Sequence, residues 1–157
     1  MDSAIENLEQ VFGSASEAGF GSAVFVRQSS ETEPRSLETD GRDVYRIFCG
    51  DNWDGFGVDN WLANWKLLHE RLPGREGDII AEIQAIRDPE AGSAAQMLLE
   101  SGPDPEHAEN VLRSAFNAGN ISQLQIFKIG DGGAMSGAII AAETNANRRV
   151  FLIILLD

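Results

Sequence analysis

The chain is poor in the residues that build disulfides, metal centres and anion-binding surfaces. It has one cysteine, Cys49, and two isolated histidines, His69 and His107, so we expect no intramolecular disulfide, no metal site and no other cofactor. Lys and Arg number 12 against 25 Asp and Glu, which gives a formal net charge of -13. Because this charge repels phosphate backbones and anionic headgroups, nucleic acids and membrane surfaces are disfavoured as partners and a cationic protein is favoured.

Long hydrophobic runs are also missing from the chain. No stretch approaches the roughly 20 apolar residues that a membrane helix needs. The first residues include Asp2, Glu6 and Glu9, where a signal peptide would be basic and then apolar. We therefore expect a cytoplasmic protein. The length of 157 residues and the 43% hydrophobic composition favour one domain, residues 1–157, with a buried core.

Motifs for catalysis are weak. The glycine-rich turn at residues 130–133 has Met135 where a dinucleotide-binding loop needs glycine, and Ala138 where a phosphate-binding loop needs lysine. Ser136 lacks the spacing of a nucleophile elbow. The sequence therefore predicts no catalytic residue, and a small hydrolase that uses residues 130–136 stays open as an alternative.

Hydrophobic spacing and capping residues predict several helices. The clearest pattern covers residues 58–72, where large apolar side chains recur every three or four positions before Pro73. Helices should also start at Pro89 and Pro105, because each proline follows a capping aspartate and precedes a glutamate. The remaining helical patterns are residues 3–18, one or two turns at residues 43–48, and residues 79–86, which fit a helix or a strand with the spacing favouring a helix.

Strands are expected mainly at the end of the chain. Residues 121–129, 134–142 and 149–156 predict an antiparallel meander. The last of these is apolar without alternation, so we expect it to lie centrally with both faces covered. Residues 23–26 predict one earlier strand, and residues 28–40 predict a loop. The predicted fold class is therefore α+β, with several helices packed on a mainly antiparallel sheet.

Tryptophans and acids come together in one segment. Residues 50–65 contain all three tryptophans. Trp61 and Trp65 lie one helical turn apart, which favours a place in the core, whereas Trp53 lies in a glycine-flanked loop where exposed function is more common. Aromatic anchors beside carboxylates suit the capture of a cationic surface. The predicted partner-binding residues are Asp51, Trp53, Asp54, Asp59 and Trp61.

The same segment resembles a known family. Phe48 and the run from residue 50 to residue 56 are similar to the part of the barstar family of ribonuclease inhibitors that plugs the enzyme's active site, and residues 111–126 loosely resemble that family's last helix and strand. The resemblance implies that Asp54 matches the first inhibitory aspartate. The second falls on Val58, with Asp59 one position beyond, and the C-terminal meander has no counterpart. The mode of inhibition would therefore differ.

These observations predict a non-enzymatic acidic inhibitor. We expect a bacterial immunity protein that binds and neutralises a cationic toxin domain of nuclease type. The first alternative is an acidic adaptor or secretion chaperone for an effector, which would use an exposed apolar face. The second alternative is the small hydrolase already described.

Overall fold

The fold was obtained as a computed structural model, which describes residues 3–16, 21–28, 36–72, 77–100, 104–117, 121–131, 135–144 and 147–156. Within these ranges the chain forms seven helices and five strands. The helices are α1 (Ser3–Phe12), α2 (Leu37–Cys49), α3 (Asn52–Phe56), α4 (Val58–Trp61), α5 (Ile79–Gln84), α6 (Pro89–Leu99) and α7 (Pro105–Phe116). The strands are β1 (Gly21–Gln28), β2 (Lys66–Arg71), β3 (Ile121–Gly130), β4 (Ser136–Thr144) and β5 (Arg148–Leu156).

The five strands form one sheet in the order β1-β5-β4-β3-β2, and all neighbouring strands are antiparallel. The predicted α+β fold class and the C-terminal meander are therefore confirmed. β5 lies inside the sheet, between β1 and β4, while β4 takes the middle position. Alternate β5 residues pack on opposite faces and both sets are buried, which explains why this strand is apolar without alternation.

Helices cover both faces of the sheet. α1, α5, α6 and α7 pack on one face, where their apolar side chains meet Val150, Leu152 and Ile154 of β5. α2, α3 and α4 pack on the other face, against Phe151 and Ile153 of the same strand. The molecule thus has three layers, and the sheet forms the middle one.

The predicted helix starts at residues 89 and 105 are confirmed. Asp88 accepts hydrogen bonds from the backbone N–H groups of Glu90 and Ala91, and Asp104 accepts one from His107. Residues 79–84 form α5, so the helical interpretation of the isoleucine-rich segment is also correct. α6 ends at Leu99, with Glu100 as its C-cap, and α7 ends at Phe116, with Asn117 as its C-cap.

The long helix predicted over residues 58–72 is wrong. α4 ends at Trp61, and Lys66–Arg71 forms β2, an edge strand paired with β3. Trp61 and Trp65 still contact the core, but they do so from a helical turn and from the entry to a strand. Apolar residues three or four positions apart fit both arrangements. As a strand, residues 66–71 pair with β3, whose backbone groups on that edge a helix would leave without partners. Pro73 lies outside the described residues.

Three other boundaries differ from the predictions. α2 begins at Leu37, inside the predicted loop, because the Ser36 side chain accepts a hydrogen bond from the backbone N–H of Thr39 at 3.0 Å. β1 extends over Gly21–Gln28 rather than residues 23–26. α1 ends at Phe12, since Gly13 has a φ of 97° that does not continue a helix. Residues 17–18 and 29–35 lie outside the described part.

Candidate functional site

An aromatic cluster supports the segment in which the sequence places the site. Tyr45 of α2 lies at its centre, with ring centroids 5.3 Å from Trp53 and 5.7 Å from Trp61. Trp53 and Trp61 stack with their centroids 6.1 Å apart. Trp65 stacks on Phe127 of β3 at 4.9 Å, which ties the cluster to the sheet. Aromatic packing of this kind holds α3 and α4 in one position on the domain.

Two glycines determine the path of this segment. Gly50 has a φ of 58° and ends α2, and Gly57 has a φ of 96° and separates α3 from α4. Side-chain-bearing residues rarely adopt these angles, so glycine permits the two sharp turns. The acids that follow each glycine are placed on the outside of the turns.

The structure corrects the prediction that Trp53 is exposed. Trp53 is 8% exposed and Trp61 is 3% exposed, and both belong to the core. The Trp61 indole N–H donates to the backbone oxygen of Asn52 at 3.2 Å. Neither tryptophan presents a broad face to a partner. Both support the surface from beneath.

Between residues 50 and 61, the large apolar side chains that reach the surface are Phe56, 38% exposed, and Val58, 47% exposed. Sequence reasoning missed both as site residues. The Phe56 ring packs on Trp61 with a centroid distance of 4.8 Å. A signal was present in the sequence, since Phe56 lies between Gly55 and Gly57 in a stretch too short to bury it.

The three predicted aspartates are exposed on this segment. Within the described part of the chain, Asp51, Asp54 and Asp59 make no ion pair and no side-chain hydrogen bond. Asp51 occupies the N-cap position of α3 without using its carboxylate as a cap. We call Asp51, Asp54, Phe56, Val58 and Asp59 the acidic surface. It combines unpaired negative charge with two apolar side chains.

A cleft of about 250 Å³ opens beside the acidic surface. It lies where the last turn of α2 meets α3. Its lining residues are Arg46, Ile47, Gly50, Asp51, Trp53 and Asp54. The aspartates of the acidic surface therefore border a concave feature as well as open solvent.

Titratable groups with shifted pKa values lie away from the acidic surface. Burial raises the pKa of Glu82, but hydrogen bonds from Arg71 and His69 outweigh it and lower the pKa overall. The same balance lowers the pKa of Asp88, where the backbone N–H of Ala91 and the ammonium of Lys128 favour the carboxylate. These groups join a helix to a strand, so their shifts reflect structural contacts.

Two further shifted groups, Tyr45 and Cys49, belong to the same buried core as the aromatic cluster. Burial raises the pKa of Cys49 to about 12, so its thiol is protonated at neutral pH. Burial also raises the pKa of Tyr45, whose hydroxyl accepts a hydrogen bond from the backbone N–H of Gly130 at 3.1 Å. Both groups help to pack α2 on the sheet.

The described residues contain neither a cluster of metal ligands nor a hydrogen-bonded pair of Ser136 and a histidine. No group of three or more His, Cys, Asp or Glu side chains among them is arranged to hold a metal ion. Ser136 begins β4, and no hydrogen bond joins its hydroxyl to either histidine in the described chain. None of the described helices is long and apolar enough to cross a membrane.

Comparisons with protein-family models, with curated proteins and with solved structures found no match to this chain. The resemblance of residues 48–56 to the barstar family therefore stays a prediction from the sequence.

Proposed function

We propose that this chain is a non-enzymatic inhibitor that binds a cationic toxin domain through the acidic surface, in the manner of a bacterial immunity protein. The observation that carries the proposal is the set of unpaired carboxylates, Asp51, Asp54 and Asp59, around the exposed side chains of Phe56 and Val58. These carboxylates can bind a partner of opposite charge without first breaking an ion pair within the chain, so the free-energy cost of using them is small.

The rest of the molecule favours this role. A net charge of -13 attracts a cationic protein over a long range and speeds its association. The aromatic cluster holds the acidic surface in place before binding, which reduces the entropy lost on association. A toxin of nuclease type carries basic side chains for its anionic substrate, and carboxylates on a rigid surface occupy such a site by replacing phosphate charge.

The test uses a purified cationic nuclease-type toxin domain, to be chosen among proteins with a basic C-terminal domain encoded next to the gene for this chain. We expect a one-to-one complex whose association rate falls steeply between low and high NaCl concentration. Asp54→Asn combined with Asp59→Asn should weaken binding at least about tenfold, because charge pairs in such interfaces contribute more than 1 kcal/mol each.

Glu106→Gln is the matched control, since it removes one exposed charge on α7, which packs on the opposite face of the sheet. It should change the affinity only slightly. Unchanged binding by the double aspartate variant would show that the acidic surface is not the site.

A second candidate, an acidic adaptor or secretion chaperone, is favoured by the edge strand β2. Leu67 is 43% exposed and Leu72, next to the end of β2, is 51% exposed. Apolar side chains at an open sheet edge suit binding of an extended effector segment. Such a complex should tolerate salt and should be lost on Leu67→Asp, whereas the aspartate variants should leave it unchanged.

A further inference from the structure

Trp53, one of the residues that line the cleft beside the acidic surface, has an indole N–H without an acceptor in the described part of the chain. The indole N–H groups of Trp61 and Trp65 donate to Asn52 at 3.2 Å and to Glu38 at 2.9 Å. Trp53, 8% exposed, has no such acceptor in the described part of the chain. No buried side-chain N or O atom of the described residues lacks a hydrogen-bond partner, so the Trp53 N–H must reach the surface. The cleft is one surface that Trp53 lines.

Negative charge accompanies this donor. Asp51 and Asp54 line the same cleft, and neither carboxylate has a partner within the described chain. A ligand that satisfies the cleft must therefore offer a cation for the two carboxylates and an oxygen acceptor for the indole N–H. Both groups occur together in one basic amino-acid residue, as a cationic side chain and a main-chain carbonyl.

The size of the cleft indicates a side chain rather than a cofactor. Its volume of about 250 Å³ lies below the range of roughly 300–1,000 Å³ that pockets for small-molecule ligands occupy. Arginine fits better than lysine, because its planar guanidinium presents five donors to two carboxylates and packs flat on aromatic and apolar surfaces. Arg46 also lines the cleft and repels a second cation, so the cleft has room for one.

We propose that the cleft receives a single arginine residue of the partner, with its guanidinium at Asp51 and Asp54 and its main-chain carbonyl at the indole N–H of Trp53. This inference rests on the proposed function and adds to it the chemistry of one contact. Here a side chain of the partner enters the cleft of this chain, whereas in the barstar family the inhibitor enters the active site of the enzyme. Trp53 thus contributes one edge, while its ring stays in the core.

The experiment titrates N-acetyl-arginine N-methylamide into the ¹⁵N-labelled full-length chain and follows the three indole N–H resonances. We expect a saturable shift of the Trp53 resonance at millimolar probe, with smaller shifts for Trp61 and Trp65, whose N–H groups are already bonded. Asp51→Asn combined with Asp54→Asn should weaken the probe's affinity about tenfold. Trp53→Phe, for which the backbone amide resonances of residues 50–54 report binding, should weaken the probe's affinity severalfold, because an aromatic ring remains and the N–H is lost.

Two controls separate recognition of arginine from general attraction of charge. Asp59→Asn removes an exposed acid of the acidic surface that does not line the cleft, and it should leave the probe's affinity unchanged. The citrulline analogue keeps the shape of the probe without its charge, and it should not bind. Unshifted Trp61 and Trp65 resonances in the aspartate variants report that the fold is intact, and for Trp53→Phe, whose ring stacks on Trp61, an unchanged Trp65 resonance does so.

Equal binding of the citrulline analogue overturns the inference, and so does a shift of Trp53 by acetate instead of by the arginine probe, which would assign the cleft to an anion at Arg46. A toxin complex that is weakened by Asp59→Asn but not by the Asp51 and Asp54 variants overturns the inference and leaves the proposed function standing. If the cleft binds the probe but the chain binds no cationic protein, the proposed function is wrong and the cleft's preference for arginine stands.

Discussion

At the scale of single residues, two groups of acids in the described chain differ in their partners. Those near the sheet are paired with basic side chains: Asp40 with Arg149, Glu82 with Arg71, and Asp88 with Lys128. Those of the acidic surface have no partner in the described chain. The first group joins helices to strands. The second group supplies charge that is available to another molecule.

Glu82 offers a test of the paired group. It accepts hydrogen bonds from the buried Arg71 guanidinium, and His69 Nε2 lies 2.7 Å from Glu82 Oε2. Despite burial, these contacts lower the pKa of Glu82 in the folded state. A carboxylate with a lowered pKa stabilises the fold above its unfolded-state pKa of about 4.3. That contribution is lost as the pH falls through the folded-state value.

We expect Glu82→Gln to lower the free energy of unfolding at pH 7 by about 3 kcal/mol, because Arg71 is left buried without its anion. When the pH is lowered below 5, the free energy of unfolding of the variant should also fall less than that of the wild type. Urea denaturation across this pH range measures both effects. Glu70→Gln on β2, next to Arg71, is the control, since Glu70 is exposed and an amide oxygen still accepts from Gln125. A similar loss in both variants would contradict the prediction.

At the scale of elements, local signals predict where several helices start. Asp88 and Asp104 were identified as caps from an aspartate before a proline, and both side chains make the expected backbone hydrogen bonds. Apolar spacing, without a capping signal, predicted a helix at residues 58–72 and was wrong there. A cap is a contact within three residues, whereas β2 exists because β3, about 60 positions later, pairs with it. Only the first kind of contact is visible in a short window of sequence.

The two caps are predicted to differ in their contribution to stability. Asp104 makes a single backbone contact, with the N–H of His107 at 3.3 Å, so Asp104→Ala should cost about 1 kcal/mol. Asp88 caps two N–H groups and also binds Lys128 Nζ at 2.8 Å. Asp88→Ala should therefore cost about 3 kcal/mol, because it also leaves a mostly buried ammonium unpaired.

Chemical denaturation of both variants measures this difference. Adding Lys128→Met to Asp88→Ala should recover about half of the loss, since the unpaired charge is removed while the cap stays absent. No recovery in the double variant would mean that the ammonium finds water or another acceptor, and that the cap accounts for the whole effect.

At the scale of the whole molecule, charge and core are separated along the chain. Residues 1–120 hold 22 of the 25 acids, and residues 121–157 hold three acids and three bases. The latter residues form the three-stranded meander, which is covered by helices on both faces. The net negative charge therefore lies largely on the layers outside the neutral sheet, where like charges repel one another through solvent.

This repulsion should be visible in the response to salt. Raising NaCl from 0.01 to 0.3 M shortens the screening length from about 30 Å to less than 10 Å. We expect this to stabilise the fold by about 1 kcal/mol and to raise the melting temperature by about 3 °C. Circular dichroism melting curves measure the shift.

A variant with three exposed acids neutralised, Asp54→Asn, Asp59→Asn and Glu100→Gln, provides the comparison. Its net charge is -10, from the wild-type -13 less three negative charges. It should melt at a higher temperature than the wild type at low salt and should respond less to NaCl. A wild-type melting temperature that stays constant or falls with NaCl would show that attractive ion pairs outweigh the repulsion.

By itself, the sequence determined the α+β class, the C-terminal meander, the buried β5 strand and the starts of α6 and α7, because each depends on neighbouring residues or on overall apolar content. Tertiary structure alone decided that residues 66–71 are a strand, that Trp53 is buried, and that Phe56 and Val58 are exposed in its place. It also decided which acids find basic partners and which border the cleft. These outcomes depend on contacts between residues that are distant in the sequence, which spacing and composition do not encode.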